Sequence, residues 1–294
     1  MAGLKIRKSK KGIKMNSIQQ VREAYGEWTA HNLEYEPGMF TIGAGASNRW
    51  LLRAQVYAEY LDQFLRVRLR KPRVLDLGCL EGGVSIILAK KGYKCTGIDI
   101  RDAHLEKAAF VSEHLNLKKT QCRWIKGDVN DESLWDSLDK FDVIICSGLL
   151  YHIHSEAIMP LLRQCLNHLK RNGILIVDSN ISDIPSEEYK VDKNLSLFGR
   201  TWKEHETDTP TEDRMSAVWS SLHNDSAFWL TERSLTNALV HTGFGHINKS
   251  LFPFHEWEHK CRDIWFAHHS RKKSQKIHFR VEPDERPVMH PGFL

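Results

Sequence analysis

The sequence predicts an α/β protein built on a doubly wound, mostly parallel sheet. Short β-rich runs alternate with helical stretches through the middle of the chain, which is the pattern of consecutive βαβ units. Some runs, such as residues 143–146, are apolar without alternation, as expected of strands that helices cover on both faces. A glycine-containing turn follows the first run, at the place where such sheets bind their ligands.

The first predicted element is an amphipathic helix over residues 47–65. Apolar side chains recur there at helical spacing from Leu51 to Leu65, and Ser47 or Asn48 can cap the start. Strands are then predicted at residues 73–77, 94–98, 121–126, 141–147 and 174–178. Helices are predicted between them at residues 83–91, 103–115, 133–138 and 156–169. Asn172-Gly173 is interpreted as the stop of the last helix.

The alternation ends after residue 178. Residues 179–230 are polar and loop-like, but they include Trp202, Trp219, Phe228 and Trp229, which is too much aromatic surface for a purely solvated loop. A helix is predicted from residue 231 to 243, followed by strands at residues 246–251 and 263–268.

Composition and cysteine usage point to a soluble, cytoplasmic protein. Of the 294 residues, 41% are hydrophobic and 27% are charged, and the longest apolar runs are far shorter than a membrane span. The first residues are basic but have no apolar block behind them, unlike a secretory signal. The six cysteines contain no C-x-x-C pair, which favours reduced thiols in the cytoplasm.

The net charge of +5 is concentrated at the ends of the chain. Residues 1–14 carry six basic side chains and no acidic one, so the body of the chain is slightly acidic. A protein that grips a nucleic acid along its body should carry its basic charge there. We therefore predict that residues 1–14 form a flexible basic tail and residues 270–294 a C-terminal tail. An arm that binds nucleic acid is the alternative.

Residues 74–84 combine a buried strand, a turn with glycines and the start of a helix. Gly78 permits a tight turn, and Gly82 and Gly83 allow the backbone to approach a ligand closely. The free N–H groups at the helix start favour an anionic group. Asp99 ends the next strand, 21 residues after Gly78, which is the spacing at which a carboxylate accepts both hydroxyls of a ribose.

Two features distinguish this pattern from a dinucleotide site. The glycine spacing is G-x-x-x-G-G and lacks the pyrophosphate fingerprint. Asp76 stands two residues before the first glycine, where its negative charge suits an ammonium or sulfonium centre. With Lys126-Gly-Asp-Val129 and the run 141–152, residues 71–178 resemble the class I S-adenosylmethionine-dependent methyltransferases. Small-molecule and tRNA-modifying members have a similar Gly-Leu-Leu-Tyr-His fourth strand.

The resemblance implies a Rossmann-like, seven-stranded, mostly parallel sheet with helices on both faces and an antiparallel last strand. It implies a methyltransferase domain over residues 71–269, in which residues 179–232 are a substrate-covering insertion and residues 15–70 precede it as an N-terminal helical cap. The cofactor would be S-adenosyl-L-methionine, with S-adenosyl-L-homocysteine as the product.

The resemblance also assigns residues to parts of the cofactor. The turn around the methionyl end would comprise Asp76, Gly78, Cys79, Leu80 and Gly82; many members have a glycine at the position of Leu80. Asp99 would hold the ribose and Ile100 would pack on the adenine, with Asp128 and Val129 at the adenine edge. Residues from Ser147 to Tyr151 would border the methyl group.

Methyl transfer chiefly requires alignment of the nucleophile, the methyl group and the sulfur, and a hydroxyl or acidic nitrogen also needs a general base. His152 and Tyr151 follow the fourth strand, and His152 is the best candidate base by side-chain chemistry. A rim histidine that only packs is the alternative. Arg200, Trp202 and Glu204 offer contacts to a small organic acceptor, or they anchor a lid.

Residues 255–259 read His-Glu-Trp-Glu-His and match the H-E-x-x-H zinc pattern. Pro253 precedes the motif, and the motif lies between two predicted strands rather than on a long helix. We therefore predict no metal, and the role of His255 and His259 stays open.

Three hypotheses for the function follow. The first is an enzyme that methylates a small molecule on oxygen or nitrogen. The second is an RNA- or tRNA-modifying methyltransferase that uses the basic tails to hold phosphates. The third is a non-catalytic, cofactor-binding partner of another subunit.

Overall fold

The computed structural model describes residues 17–46, 49–65, 71–250 and 262–269. The predictions for the two tails, for the caps Ser47 and Asn48, and for His255 and His259 concern residues outside these ranges.

The N-terminal part of the described chain contains two helices and a hairpin. These elements are α1 (Ile18–Tyr25), β1 (Glu34–Glu36), β2 (Met39–Phe40) and α2 (Arg49–Phe64). The prediction of a helix here is confirmed by α2, which buries Ala54, Tyr57 and Leu61 completely. Its buried face packs in the same apolar cluster as the central sheet, so the helix covers one face of that sheet.

Strands and helices then alternate as the sequence predicts. They are β3 (Arg73–Leu77), α3 (Gly83–Lys90), β4 (Lys94–Asp99), α4 (Asp102–His114), β5 (Cys122–Lys126), α5 (Glu132–Asp136), β6 (Phe141–Ser147), a 3-10 turn (Leu150–His152), α6 (Ser155–His168) and β7 (Leu169–Asn180). The predicted start of β7 and the predicted helix stop are wrong. Because α6 ends at His168, Asn172 and Gly173 lie inside the strand, where Asn172 adopts a left-handed conformation with φ +63.

The prediction that residues 179–230 are loop-like is also wrong. These residues form a separate antiparallel sheet with a short helix between its second and third strands: β8 (Glu187–Lys190), β9 (Ser196–Lys203), α7 (Thr211–Ser216) and β10 (Ser226–Leu230). The polar sequence hid these strands because β8 and the second half of β9 are solvent-exposed. Leu197, Phe228 and Leu230 face inward and join the main core.

The last described elements are α8 (Glu232–Thr242), β11 (His246–Lys249) and β12 (Arg262–His268). The central sheet has the order β11-β12-β7-β6-β3-β4-β5. Pairing is parallel from β7 to β5, and β12 is antiparallel to both of its neighbours. The prediction of a seven-stranded, mostly parallel sheet with an antiparallel last strand is confirmed. The strand order reverses between β3 and β6, and this switch point is where open α/β sheets bind ligands.

Two apolar clusters fill the two faces of this sheet. Along β6, Val143 and Ile145 pack into the cluster that contains α2 and α3, whereas Ile144 and Cys146 pack into the cluster that contains α6 and α8. Burial on both faces explains why this strand is apolar without alternation. All five cysteines of the described residues are buried free thiols. No helix among those residues is long and apolar enough to cross a bilayer.

In the antiparallel sheet, Gly199 lies close to the backbone of the neighbouring strand, so we expect a larger residue there to destabilise the fold. A Cβ on Gly199 would lie 2.1 Å from the Trp229 carbonyl oxygen, so the two strands would have to separate. We expect Gly199→Ala to lower the free energy of unfolding by about 1–3 kcal/mol in denaturant titrations. Gly45→Ala is the matched control, since nothing lies within 4 Å of its added Cβ. Equal stability of the two variants would contradict this packing.

Candidate active site

A pocket lies at the carboxyl ends of β3, β4, β5 and β6. Its volume is about 880 Å³, including the part that opens to solvent. The structure brings nine of the residues predicted from the sequence to its wall: Gly78, Leu80, Asp99, Ile100, Asp128, Val129, Ser147, Tyr151 and His152. The remaining predicted residues, Asp76, Cys79, Gly82, Arg200, Trp202 and Glu204, lie outside the wall.

Asp99 is held in a fixed orientation at the end of β4. Its Oδ2 accepts the Leu80 N–H at 3.0 Å, and its Oδ1 accepts the Arg101 N–H at 2.9 Å. The Nδ1 atom of His104 lies 3.0 Å from the same Oδ1, and both side chains are buried. The carboxylate therefore connects the turn after β3 to the start of α4.

The turn after β3 contains three residues in the left-handed conformation. Gly78 has φ +66, and a Cβ there would lie 3.3 Å from the Leu149 side chain. Leu80 has φ +48, which costs a non-glycine residue about 1–2 kcal/mol. Gly82 has φ +75, and its missing Cβ leaves room for the Trp124 ring, which would otherwise be 2.5 Å away. Gly82 thus serves packing beneath the pocket, and Cys79 is buried beside it.

Asp76 lies within β3, behind the pocket wall. It is buried and accepts a hydrogen bond of 2.8 Å from the Ser85 hydroxyl of α3. Burial raises the pKa of its carboxyl to about 7, and the nearby charge of Asp99 adds to this effect.

A segment from the N-terminal part closes the turn from the other side. The Glu81 carboxylate accepts the backbone N–H groups of Thr29 at 2.7 Å and of Ala30 and His31 at 3.0 Å. The Gly83 N–H donates to Nδ1 of His31 at 3.1 Å. Burial lowers the pKa of His31 to about 4, so its ring is neutral and accepts this bond. The first N–H of this helix is therefore bound to His31 and does not serve an anion.

The sequence analysis missed a buried charged cluster at the ends of β6 and β7. Asp178 is fully buried and accepts hydrogen bonds from the Tyr57 hydroxyl at 2.7 Å, Ser147 at 3.1 Å and Arg262 Nε at 2.5 Å. Arg53 also pairs with it at 3.3 Å. Burial opposes ionisation of Asp178, but the two guanidinium groups and the hydrogen bonds hold its pKa below the ordinary value. The cluster fixes Ser147 at the pocket wall.

His152 and Glu204 form a partly buried pair beside this cluster. The Nδ1 atom of His152 lies 2.7 Å from Oε1 of Glu204, whose side chain is only 2% exposed. Oε2 of Glu204 accepts the Ser221 N–H at 3.0 Å. Glu204 thus contacts His152 and the loop beyond it. Glu204 lies 52 residues from His152 along the chain, and no sequence pattern indicated that the two side chains would be in contact.

The other predicted substrate contacts form an aromatic stack next to Tyr151. The Trp202 and Trp229 rings stack with centroids 4.5 Å apart, and Tyr151 meets Trp229 edge-on at 5.8 Å. The Arg200 guanidinium lies over both tryptophans, 5.4 and 4.9 Å from their ring centroids. Trp202 is 43% exposed, so the stack runs from the pocket rim to the surface.

Residues 214–224, here called the cover segment, close the pocket opposite the sheet. Every residue from Val218 to Asn224 lines the pocket. Arg101, on the sheet side of the pocket, contacts three backbone carbonyls of this segment. The sequence analysis included these residues in the substrate-covering insertion predicted over residues 179–232, but it singled out neither this segment nor Arg101. Within the described residues, no group of three or more His, Cys, Asp or Glu side chains could hold a metal ion.

The fold and the pocket at the switch point define an α/β protein of the Rossmann-like class. Residues 50–248 match the family model of a methyltransferase domain, which is about two thirds of the chain. The chain therefore belongs to this methyltransferase domain family.

Relatives by sequence include ubiquinone biosynthesis O-methyltransferases. The protein of Rickettsia typhi (strain ATCC VR-144 / Wilmington) is 25% identical over 168 residues, 56% of this chain and 62% of the relative. That of Coxiella burnetii (strain Dugway 5J108-111) is 31% identical over 121 residues, 41% of this chain and 47% of the relative. The chain thus spans no more than about three fifths of the length of these relatives.

Two solved structures share the fold. The N-terminal domain of EvdMO1, crystallised in the presence of SAH and D-fucose, aligns with a TM-score of 0.63 and 20% identity over 86% of this chain and 95% of that domain. Magnesium protoporphyrin IX methyltransferase (ChlM) from Synechocystis PCC 6803, with bound SAH, aligns with a TM-score of 0.50 and 17% identity over 78% of this chain and 90% of that chain.

Burial of Asp76 predicts a specific dependence of stability on pH. Below about pH 4 its carboxyl is protonated in both the folded and the unfolded chain. As the pH rises towards 7, the unfolded chain releases this proton but the folded chain retains it, so stability is lost through that range. Asp76→Asn cannot titrate.

We therefore expect the free energy of unfolding of Asp76→Asn, relative to the wild type, to increase between pH 4 and pH 8. The increase should reach at least about 1.4 kcal/mol, which is the equivalent of one pKa unit. Denaturant titrations across this pH range measure it. Stability curves that run parallel would contradict a raised pKa at Asp76.

Proposed function

We propose that this protein is an S-adenosylmethionine-dependent methyltransferase that acts on a small organic molecule, at an oxygen or nitrogen atom. The observation that carries the proposal is the position of Asp99, a buried carboxylate in the pocket wall beside the Gly78 turn and the switch point. The relatives named as O-methyltransferases support an oxygen acceptor. Five buried free thiols support a reducing compartment such as the cytoplasm.

The residues of the pocket fit S-adenosylmethionine. Gly78 leaves room at the turn, since a Cβ would press against Leu149 at 3.3 Å. The carboxylate of Asp99 can accept ribose hydroxyls, and Ile100 and Val129 give apolar surface for an adenine. The Asp128 Oδ1 accepts two hydrogen bonds from Asn130, which directs this side chain at the far end of the pocket. SAH bound to structural neighbours supports the same cofactor.

When bound, S-adenosylmethionine supplies an activated methyl group. Ser147 and Tyr151 border the end of the pocket where that group would lie, and the cover segment shields the same space from water. His152 lines the pocket and takes the proton from a hydroxyl or acidic nitrogen of the acceptor. Glu204 holds the His152 ring by its Nδ1 atom, so that Nε2 is directed to accept the proton. We assign Glu204 this orienting role instead of a contact to the substrate.

The first test is cofactor binding by calorimetry. The wild type should bind S-adenosylhomocysteine, and Asp99→Asn should bind it about 10- to 100-fold more weakly because a charged acceptor for the ribose is lost. Asp102→Asn is the matched control, since Asp102 is 62% exposed and pairs with Lys126 at the surface. A wild type that binds a nicotinamide dinucleotide but not S-adenosylhomocysteine would exclude the proposed function.

The second test concerns the proton acceptor. Labelled S-adenosylmethionine and a metabolite extract identify the methyl acceptor, and kcat is then measured with it. We expect His152→Gln to lower kcat by about 100-fold or more with unchanged affinity for S-adenosylhomocysteine, and Glu204→Gln to lower kcat by a smaller factor. His154→Gln, two residues along the same loop, is the control. If His152→Gln keeps kcat within threefold of the wild type, His152 is not the base.

A further inference from the structure

Arg101 joins the cofactor side of the pocket to the cover segment. Its Nη2 atom lies 3.0 Å from the Arg214 carbonyl oxygen, 3.1 Å from that of Ala217 and 3.0 Å from that of Ser220. The side chain is buried, and burial lowers the pKa of the guanidinium. Arg101 stands two residues after Asp99 and donates its backbone N–H to the Asp99 carboxylate.

These carbonyls lie at and beyond the carboxyl end of α7, and that of Ala217 also accepts the Ser220 N–H at 3.0 Å. Helix α7 ends at Ser216, so the carbonyls of its last turn and of the chain beyond it lack helical partners. A cation at the carboxyl end of a helix also interacts favourably with the helix dipole. Arg101 supplies both a donor and the charge, so this side chain is one of the contacts that hold the cover segment in position.

The other end of the cover segment is tied to the proposed base. The Ser221 N–H donates to Glu204, whose second oxygen holds His152. The Asn224 side chain donates to the His152 carbonyl at 2.8 Å. The segment therefore contacts Arg101, two residues after Asp99, at one end and the His152–Glu204 pair at the other.

We propose that Arg101 is a positioning residue that couples cofactor binding to the alignment of His152 through the cover segment. The proposal rests on the proposed function. Because residues of the segment line the pocket, a bound ligand contacts them and favours the position in which they lie over it. Loss of the Arg101 contacts makes this position of the segment less favourable. The affinity for the cofactor then falls, and Glu204 and His152 are less well aligned.

Hydrogen–deuterium exchange of residues 214–224 tests the coupling directly. In the wild type, S-adenosylhomocysteine should slow exchange of these amides by about tenfold or more. In Arg101→Gln the segment should exchange faster without ligand, and the ligand should restore little protection. Dissociation of S-adenosylhomocysteine, measured by stopped flow, should accelerate by about tenfold.

Kinetics separate this role from general destabilisation. Arg101→Gln should raise KM for S-adenosylmethionine and also lower kcat, whereas Arg101→Lys, which keeps the charge, should recover part of both. Arg73→Gln is the control for loss of one arginine, because Arg73 pairs at the surface with Asp139, which is 75% exposed. If Arg101→Gln is poorly folded, the same measurements on Arg101→Lys decide, with an intermediate loss of protection expected.

The outcomes distinguish the two proposals. A wild type that does not bind S-adenosylhomocysteine overturns both the proposed function and the coupling. A wild type that binds it, with Arg101 variants that retain wild-type protection of residues 214–224 and wild-type dissociation, overturns the coupling alone.

Discussion

The carboxylate of Asp99 is the constraint on which the rest of the pocket depends. It is buried and accepts N–H donors from the turn after β3 and from the start of α4, so two elements that begin at the sheet edge are fixed against each other. The bond to Leu80 holds a non-glycine residue in the left-handed conformation and keeps the turn open. Hydrogen bonds from backbone N–H groups stabilise the charged form of a buried carboxylate. In the proposed reaction, the same group recognises the ribose.

Four buried acidic side chains stand at or near this edge, and they are accommodated in three ways. Asp99 and Glu81 accept backbone N–H groups, whereas Asp178 is paired with guanidinium groups. Asp76 has a hydroxyl as its partner, and its pKa is raised towards neutrality. An unpaired buried charge would be costly, so these arrangements explain why segments distant in sequence meet here. Glu81 binds the N-terminal segment, and Asp178 binds α2 and β12.

The sequence predicted the central sheet well because burial on both faces leaves a clear apolar signal, as in β6. It also predicted most of the pocket wall, since Gly78 and Asp99 follow strands directly and the ends of parallel strands share one edge. It missed β8 and β9 because their exposed residues carry no such signal. It named Glu204 only as a candidate contact to the substrate and did not predict the contacts of Arg101. The carbonyls that Arg101 contacts and the His152 ring that Glu204 contacts lie more than 50 residues away along the chain, and no local pattern encodes such contacts.

The two oxygens of Glu204 connect the cover segment to the proposed base. One oxygen contacts His152 and the other accepts the Ser221 N–H, so one carboxylate joins the proposed base to the segment. Transfer of a methyl group needs alignment of the reacting atoms and exclusion of water, and both requirements are met by the same closure. Because Glu204 follows directly after β9 and also accepts the Ser221 N–H, the segment that lines the pocket helps to orient the carboxylate that holds His152.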